Sequence, residues 1–519
     1  MNTPSSGNPK SKTGNSTDNL LEAMKKHVVI ILLFSLLWKS GFSQQTYFNN
    51  RYNFGVAENG LDILPNDSGY FLLSGIANNS FHRSILISSL DFNGNVLWSK
   101  NFTDSIHDLY AGGPGNLGYY DSHSLILAAS NSENNTQGLI CKFNLNGDTI
   151  WVREYGDTLF QSGWDVKRIR DGGLVLVCNV NNADPNGNVE LIKTDSLGNV
   201  QWQKYYGGAQ YDIAVSLDTC VDGGFIMAGQ TSSFGPNAGS SCGNMYCLKT
   251  DSIGNLQWQK GLGNIYADDA WSVVSCKDSS FIFAGVYSVS DPSSGTTCDV
   301  PISQAWLVKL NLNGDTVWTR KYGSPVYNTG LFIVRELADG SLIAAGQRGR
   351  DTIGFSQGLV MKVASNGDSL WYRTYENLHG FDSDNFLRDI RPTADGGFIA
   401  CGYIFPQAPD TGTQDTWILK IDSNGCEQLN CTLNNFIHEN SLSTRLSIYP
   451  NPSTGYFQID NNSGFKLESI SVFNAVGQLQ YSKIGQINSL NLEDSPPGIY
   501  FYQIELENHT WLNGRLSKQ

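Results

Sequence analysis

The sequence predicts an all-β chain, a seven-bladed β-propeller followed by a small C-terminal β-sandwich. Three observations predict it. A turn-plus-tryptophan phrase recurs six times, a turn-plus-apolar phrase recurs seven times, and both stop where a different strand pattern begins. Composition agrees: 54 Gly, 23 Tyr and 12 Trp in 519 residues, with 16% charged, suit many short strands joined by glycine turns. They disfavour a helical bundle or a disordered chain.

The first phrase reads DFNGNVLW (91–98), NLNGDTIW (144–151), DSLGNVQW (195–202), DSIGNLQW (251–258), NLNGDTVW (311–318) and ASNGDSLW (364–371). Its tryptophans are spaced by 53, 51, 56, 60 and 53 residues. A seventh copy, DSNGCEQL (422–429), keeps the turn and lacks the Trp. Asn and Gly accept the left-handed backbone that a tight hairpin demands, so the phrase is a hairpin between two strands.

The second phrase precedes each copy of the first: NDSGYFLLSG, DSHSLILAAS, DGGLVLVCN, DGGFIMAG, DSSFIFAG, DGSLIAAG and DGGFIACG. Each is a turn followed by an apolar, β-rich run, which reads as a buried strand. With one strand between the phrases and one after the Trp, each unit has four strands, the arithmetic of a propeller blade. A stacked open solenoid is the alternative architecture. Because the seventh unit lacks its last strand, TYFNNRYNFG (46–55) is expected to complete it and close the ring.

Residues 24–43, MKKHVVIILLFSLLWKSGFS, read as a secretory signal: Lys25 and Lys26, an apolar run from Val28 to Trp38, then a small–x–small site at Gly41–Ser43. The run is too short to span a bilayer as a helix, and no transmembrane helix is expected in the mature chain. Met24 is an alternative start. The expected organisation is 1–43 extension and signal peptide, 44–433 propeller, 434–445 linker and 446–519 C-terminal domain.

The formal net charge of −14 excludes nucleic acid as the expected partner, since phosphates need a basic stripe. Of ten Cys, Cys242, Cys247 and Cys298 fall in or beside long loops where a bridge is plausible. Cys141, Cys178 and Cys401 lie in apolar runs and read as buried thiols. Two familiar motifs are set aside. GSSCG (239–243) lacks the strand-to-helix elbow of a nucleophilic serine. GPGNLG (113–118) has no following helix to hold a phosphate, and reads as a mobile loop. The seven His show no metal spacing, and the D-x-N-G-N turns lack the downstream Glu of a calcium loop.

One constellation remains. Acidic residues open the first strand of most units: Glu58, Asp108, Asp165, Asp212, Asp269 and Asp382, with Asn328 in the sixth. First strands line a propeller's channel, so these are expected around one mouth, with Trp164 and Trp271 beside them. They read two ways: as caps on their own turns, or as a carboxylate ring for sugar hydroxyls or a cation, Ca2+ being the ion considered. Otherwise no cofactor is expected. The long second-to-third-strand loops (230–244, 286–304, 403–415) fall on the same face, as binding loops on a rigid scaffold do.

After residue 445 come LSIYPNPSTGYFQID, ISVFNAVGQLQYS and GIYFYQIEL, an alternating pattern that reads as a sandwich. Tyr449-Pro450-Asn451-Pro452 with Gly455, Val472-Phe473-Asn474 with Gly477-Gln478, Gly498-Ile499-Tyr500-Phe501, and the basic Arg515 and Lys518 occur in that order. This segment resembles the type A C-terminal sorting domain of the type IX secretion system. One departure is the short finish after Asn513-Gly514, without a long apolar final strand. The resemblance implies export to the periplasm, passage through the outer membrane by the type IX machinery as partner, and surface attachment or release. The expected function is a secreted or cell-surface binding or adhesion module for a glycan or protein. The alternatives are a polysaccharide hydrolase or lyase at the propeller mouth, where paired carboxylates could act, and a purely structural surface protein.

Overall fold

The computed structural model describes residues 47–428 and 446–519, apart from 56, 78–82, 104–107, 133–135, 157–159, 182–187, 241, 290–301, 324–326, 350–355, 379–382, 407–411, 462–465, 475–477, 486 and 507–510. The expected signal peptide and linker, together with Asp382, Gly477 and Cys298, lie outside the described residues. Every described element is a strand, and no described helix is long and apolar enough to cross a membrane.

Among the described residues, seven antiparallel sheets follow one another: blade 1 (57–102), blade 2 (109–155), blade 3 (160–206), blade 4 (212–262), blade 5 (269–322), blade 6 (329–375) and blade 7 (384–421). Blade 7 takes its outer strand from the N-terminus, where Phe48–Tyr52 pairs antiparallel with Asp415–Ile421. The second and third strands are buried almost throughout, as Phe225–Thr231 and Asn244–Thr250 show, whereas outer strands such as Leu256–Leu262 are exposed or half-buried along their length. An apolar cluster fills each gap between neighbouring sheets, including one of Ile63, Tyr70 and Leu72 against Ile399, Cys401 and Ile418 that joins blade 7 to blade 1. The sheets therefore close into a propeller, each cluster contributing about 1.5–3 kcal/mol per fully buried large side chain.

The repeated phrases have physical explanations. Gly254, at φ +77°, sits where a Cβ would lie 2.7 Å from the Trp202 ring of the preceding blade. In the same place the Tyr206 hydroxyl donates to the Gly254 carbonyl (2.6 Å). Tyr155, Tyr322 and Tyr375 repeat this bond to Gly198, Gly367 and Gly425. The Trp and Tyr thus clamp the next blade's glycine turn. At the ring closure Phe48 and Tyr52 take those places against Gly94, which is how the seventh unit manages without its Trp. A second repeated device joins the first-to-second-strand turn to the third strand. Asp171, Asp222, Asp278 and Asp395 pair with Lys193, Lys249, Lys309 and Lys420 at 2.7–2.8 Å.

Cys242 and Cys426 each take part in a disulfide. Cys247, expected near a bridge, is instead a buried free thiol in the strand Asn244–Thr250, as are Cys141, Cys178 and Cys401 in theirs.

The C-terminal domain has two sheets. Leu446–Tyr449, Tyr456–Asn461 and Ser489–Asn491 form one; Leu479–Ile484, Leu467–Asn474, Gly498–Leu506 and Trp511–Lys518 form the other. The final strand, expected to be short, is 8 residues long and pairs along its whole length with Gly498–Leu506. The Pro-Asn-Pro turn pins it: Asn451 Oδ1 accepts from Ser517 N–H (2.8 Å) and Asn451 Nδ2 donates to Arg515 O (3.0 Å). Lys518 is not a free basic tip, because its buried Nζ donates to the carbonyls of Leu492, Glu493 and Ser495.

Candidate functional site at the propeller axis

Six first strands carry a β-bulge at the same register position, between Gly60/Asp62, Gly163/Asp165, Ala214/Ser216, Ala270/Ser272, Leu331/Ile333 and Leu387/Asp389. A bulge inserts one unpaired residue and re-aims its side chain. The inserted residues are Leu61, Trp164, Val215, Trp271, Phe332 and Arg388, and the last three meet. The Trp271 and Phe332 rings meet edge-on at 5.7 Å. The Arg388 guanidinium lies 4.3 Å from the Phe332 centroid, 5.5 Å from Tyr403 and 5.9 Å from Trp271. Phe386 packs on Tyr403 at 4.8 Å. Cation–π contacts of this kind hold a guanidinium without neutralising it.

Except in blade 6, where it is the apolar Ile333, the residue after each of the six bulges does a different job. Its side chain crosses to the next blade and accepts a backbone N–H: Asp389 from Ile63, Asp62 from Leu117, Asp165 from Leu217, Ser216 from Val273 and Ser272 from Val334. In blade 2 the equivalent Asn116 turns back instead, exchanging two 2.6 Å bonds with Ala128. Deeper along the same strands stand Lys167, Asp218, Arg335 and Arg391. Lys167 binds Asp165 (2.5 Å) and Gly115 O (3.2 Å). Arg335 binds Asp389 (2.5 Å), and Arg391 binds Asp62 (2.9 Å), Asp389 (3.1 Å) and Leu117 O (2.9 Å). The stretch GPGNLG is part of this filling rather than a mobile loop. Pro114, Asn116 and Leu117 are buried, and a Cβ on Gly115 would come within 3.0 Å of Ile333 in blade 6.

Asp62 and Asp389 titrate in opposite directions. Burial, then the charge of Asp389, pushes Asp62 well above the carboxylate range. Burial acts on Asp389 too, but the Arg335 and Arg391 guanidiniums overcome it and hold its carboxyl far below. Opposed shifts mark acid–base pairs in enzymes. Here both carboxyls are fully buried and spend their oxygens on arginines and backbone N–H groups.

Of the six acidic positions expected to form one ring, the five that are described, all but Asp382, occupy different levels. Glu58 and Asp212 stand three residues before their bulges and cap the preceding turn. Phe54 N–H donates to Glu58 (2.8 Å), and Gly208 N–H and Ser233 Oγ donate to Asp212 (2.7 Å each). In blade 5 that position belongs to Asp268, which accepts from Asn264 and Ser288 N–H, and in blade 7 to Asn385. Asp108 accepts from Arg83 N–H across the seam between blades 1 and 2 (3.0 Å). Asp165 lies beyond its bulge, in the axial network. Asp269 is left nearest the mouth, two residues before Trp271. Its Oδ1 is buried without a hydrogen-bond partner, and burial together with the Asp268 charge pushes it up to about 7. Glu58 is also pushed up to about 7, by burial and then by Asp415. Trp164 is half-buried, its Nε1 on Ser162 Oγ (3.0 Å).

The D-x-N-G-N turns use their carboxylates internally. Asp91 accepts from Asn93 N–H and from the backbone and side chain of Asn95. No cluster of three metal-ligating side chains occurs among the described residues. Sequence reasoning missed Asp62, Asp389, Arg335, Arg391, Phe332 and Arg388.

Residues 447–514 match the family model of the secretion system C-terminal sorting domain. The tail is a type IX sorting domain. Such a tail marks a chain for export to the cell surface or beyond it. No curated protein matches the sequence. Among solved structures, PorZ, an essential surface component of the type IX secretion system of Porphyromonas gingivalis, aligns over 91% of this chain and 70% of its own, at 9% identity and a TM-score of 0.29. The WD40 domain of Toxoplasma gondii coronin aligns over 73% and 87% (8% identity, TM-score 0.41). The β-propeller domain of the Trilobed protease from Pyrococcus furiosus aligns over 75% and 100% (8%, 0.40). Likeness at this level carries nothing about ligand or activity.

Proposed function

We propose that this chain is a secreted or cell-surface binding or adhesion module for a glycan or protein, brought out through a signal peptide and the type IX machinery. The observation that supports this reading is the mouth formed by the half-buried Trp271, Arg388 and Tyr403 around the buried Phe332. Aromatic faces stack on sugar rings or apolar side chains, and a guanidinium held by rings offers donors to hydroxyl or carboxylate groups. Below the mouth the axis is occupied by ion pairs and by the Gly-Pro-Gly turn, so contact is made at the rim. Of the residues expected to bind ligand, Trp164, Trp271 and Asp269 belong to this reading. Glu58, Asp108, Asp165 and Asp212 act on the scaffold that carries them.

The test is binding of the full chain to a panel of polysaccharides and glycoproteins, with Ca2+ and with chelator, alongside Trp271→Ala. Specific binding that chelator leaves intact and Trp271→Ala weakens supports the reading. Turnover of a panel member would instead favour the polysaccharide-degrading alternative, with Asp269 as the carboxyl to replace.

A further inference from the structure

The four-stranded sheet of the sorting domain has two unlike faces. Ile470, Val472, Tyr500, Ile504 and Leu516 turn inward and are buried against the second sheet. On the other face one cross-strand row runs Leu479, Phe473, Phe501, Arg515, with one residue from each strand. Leu479 is 56% exposed, Phe501 49% and Ile499, two residues along the same strand, 50%. A sheet facing water normally alternates apolar-in with polar-out. Two apolar residues at consecutive outward positions, extended sideways by Leu479 and Phe473, break that rule where a folded domain gains no stability from it.

The row lies within the matched segment 447–514 except for Arg515, which follows it directly. We propose that this face is where the type IX secretion apparatus docks, through a partner that covers Leu479, Phe473, Phe501 and Ile499 with apolar surface and sets a carboxylate against Arg515. The proposal rests on reading the tail as an export signal and is independent of what the propeller binds. Arg515 supplies the charge term: it is exposed at the end of the row, in a chain whose formal net charge is −14. A cation placed there selects an acidic partner and fixes its register.

The experiment expresses the full chain in a cell with an active type IX system and measures the fraction reaching the surface or medium. Ile499→Ser with Phe501→Ser is expected to lower that fraction about tenfold, equivalent to about 1.4 kcal/mol of docking affinity. Arg515→Glu is expected to lower it similarly, with Arg515→Lys largely restored. Gln503→Ser, on the same strand and face, is the control. Protease resistance of the purified variants reports that the domain stays folded. Normal export of the folded double variant overturns the docking face alone. Wild-type chain that stays inside overturns the export reading and the proposal with it.

Discussion

Arg391, in the first strand of blade 7, holds Asp62, in the first strand of blade 1, at 2.9 Å across the closure of the ring. The same guanidinium reaches Asp389 and the Leu117 carbonyl of blade 2, so one side chain ties three blades at the axis. Arg391→Met should cost about 3–5 kcal/mol, the usual result of leaving buried carboxylates without their partner. Denaturant unfolding measures it. Arg391→Lys should recover only part of the loss, because an ammonium cannot make the fork of bonds to two carboxylates.

The outer-strand clamp predicts a smaller, repeated effect. Tyr206→Phe removes the bond to Gly254 O while keeping the ring, and should cost about 1 kcal/mol. Gly254→Ala should cost more, since φ +77° and the Trp202 ring both oppose a Cβ. Comparing the two variants by thermal unfolding separates the bond from the packing.

Asn49 predicts how far closure depends on the N-terminal strand. Its carboxamide donates to Glu376 O and Glu427 and accepts from Trp417 Nε1 (2.7 Å) and Asn377 Nδ2 (2.9 Å). Asn49→Ala should destabilise by about 1–3 kcal/mol, because the buried Trp417 N–H is left without an acceptor. Hydrogen exchange should then rise first in blade 7 and the strand Phe48–Tyr52.

Asp269 predicts a pH dependence with a definite sign. Its carboxyl is pushed up to about 7 by burial and by Asp268, so between about pH 4 and 7 the folded chain holds a proton that the unfolded chain has released. Stability therefore falls as pH rises through that window and levels off above it. Glu58, also near 7, acts in the same direction. Asp269→Asn should stabilise the chain at pH 8 by on the order of 1 kcal/mol and make no difference near pH 4. Unfolding curves at the two pH values check this.

Most of the fold was legible because it is periodic. The N-x-x-G turn, the Trp and the apolar run each solve one local problem, and a propeller poses that problem once per blade. The missing Trp of the seventh unit even pointed to the strand Phe48–Tyr52. The site was less legible because it depends on register. In blades 3, 4 and 5 the turn-capping place lies ten residues after the Trp, but a window of ten to fourteen residues admits Asp165 and Asp269 beside Asp212, although they stand four positions after, one position after and level with that place. A bulge leaves no mark in sequence that would identify Arg388 as the residue facing Phe332. The turn-to-strand lysines such as Lys249 could have been found, since a Lys recurs at the same place in six units, but their partners lie a strand away.

The most direct measurement is a comparison of ligand affinity among wild type, Arg388→Ala and Asp212→Asn, using whichever polysaccharide or glycoprotein the full chain retains. If the aromatic mouth is the site, Arg388→Ala weakens binding by about tenfold or more, near 1.4 kcal/mol, while Asp212→Asn keeps wild-type affinity as long as it stays folded. Equal affinity of wild type and Arg388→Ala, with loss in a folded Asp212→Asn, would contradict the account and return the site to the acidic residues.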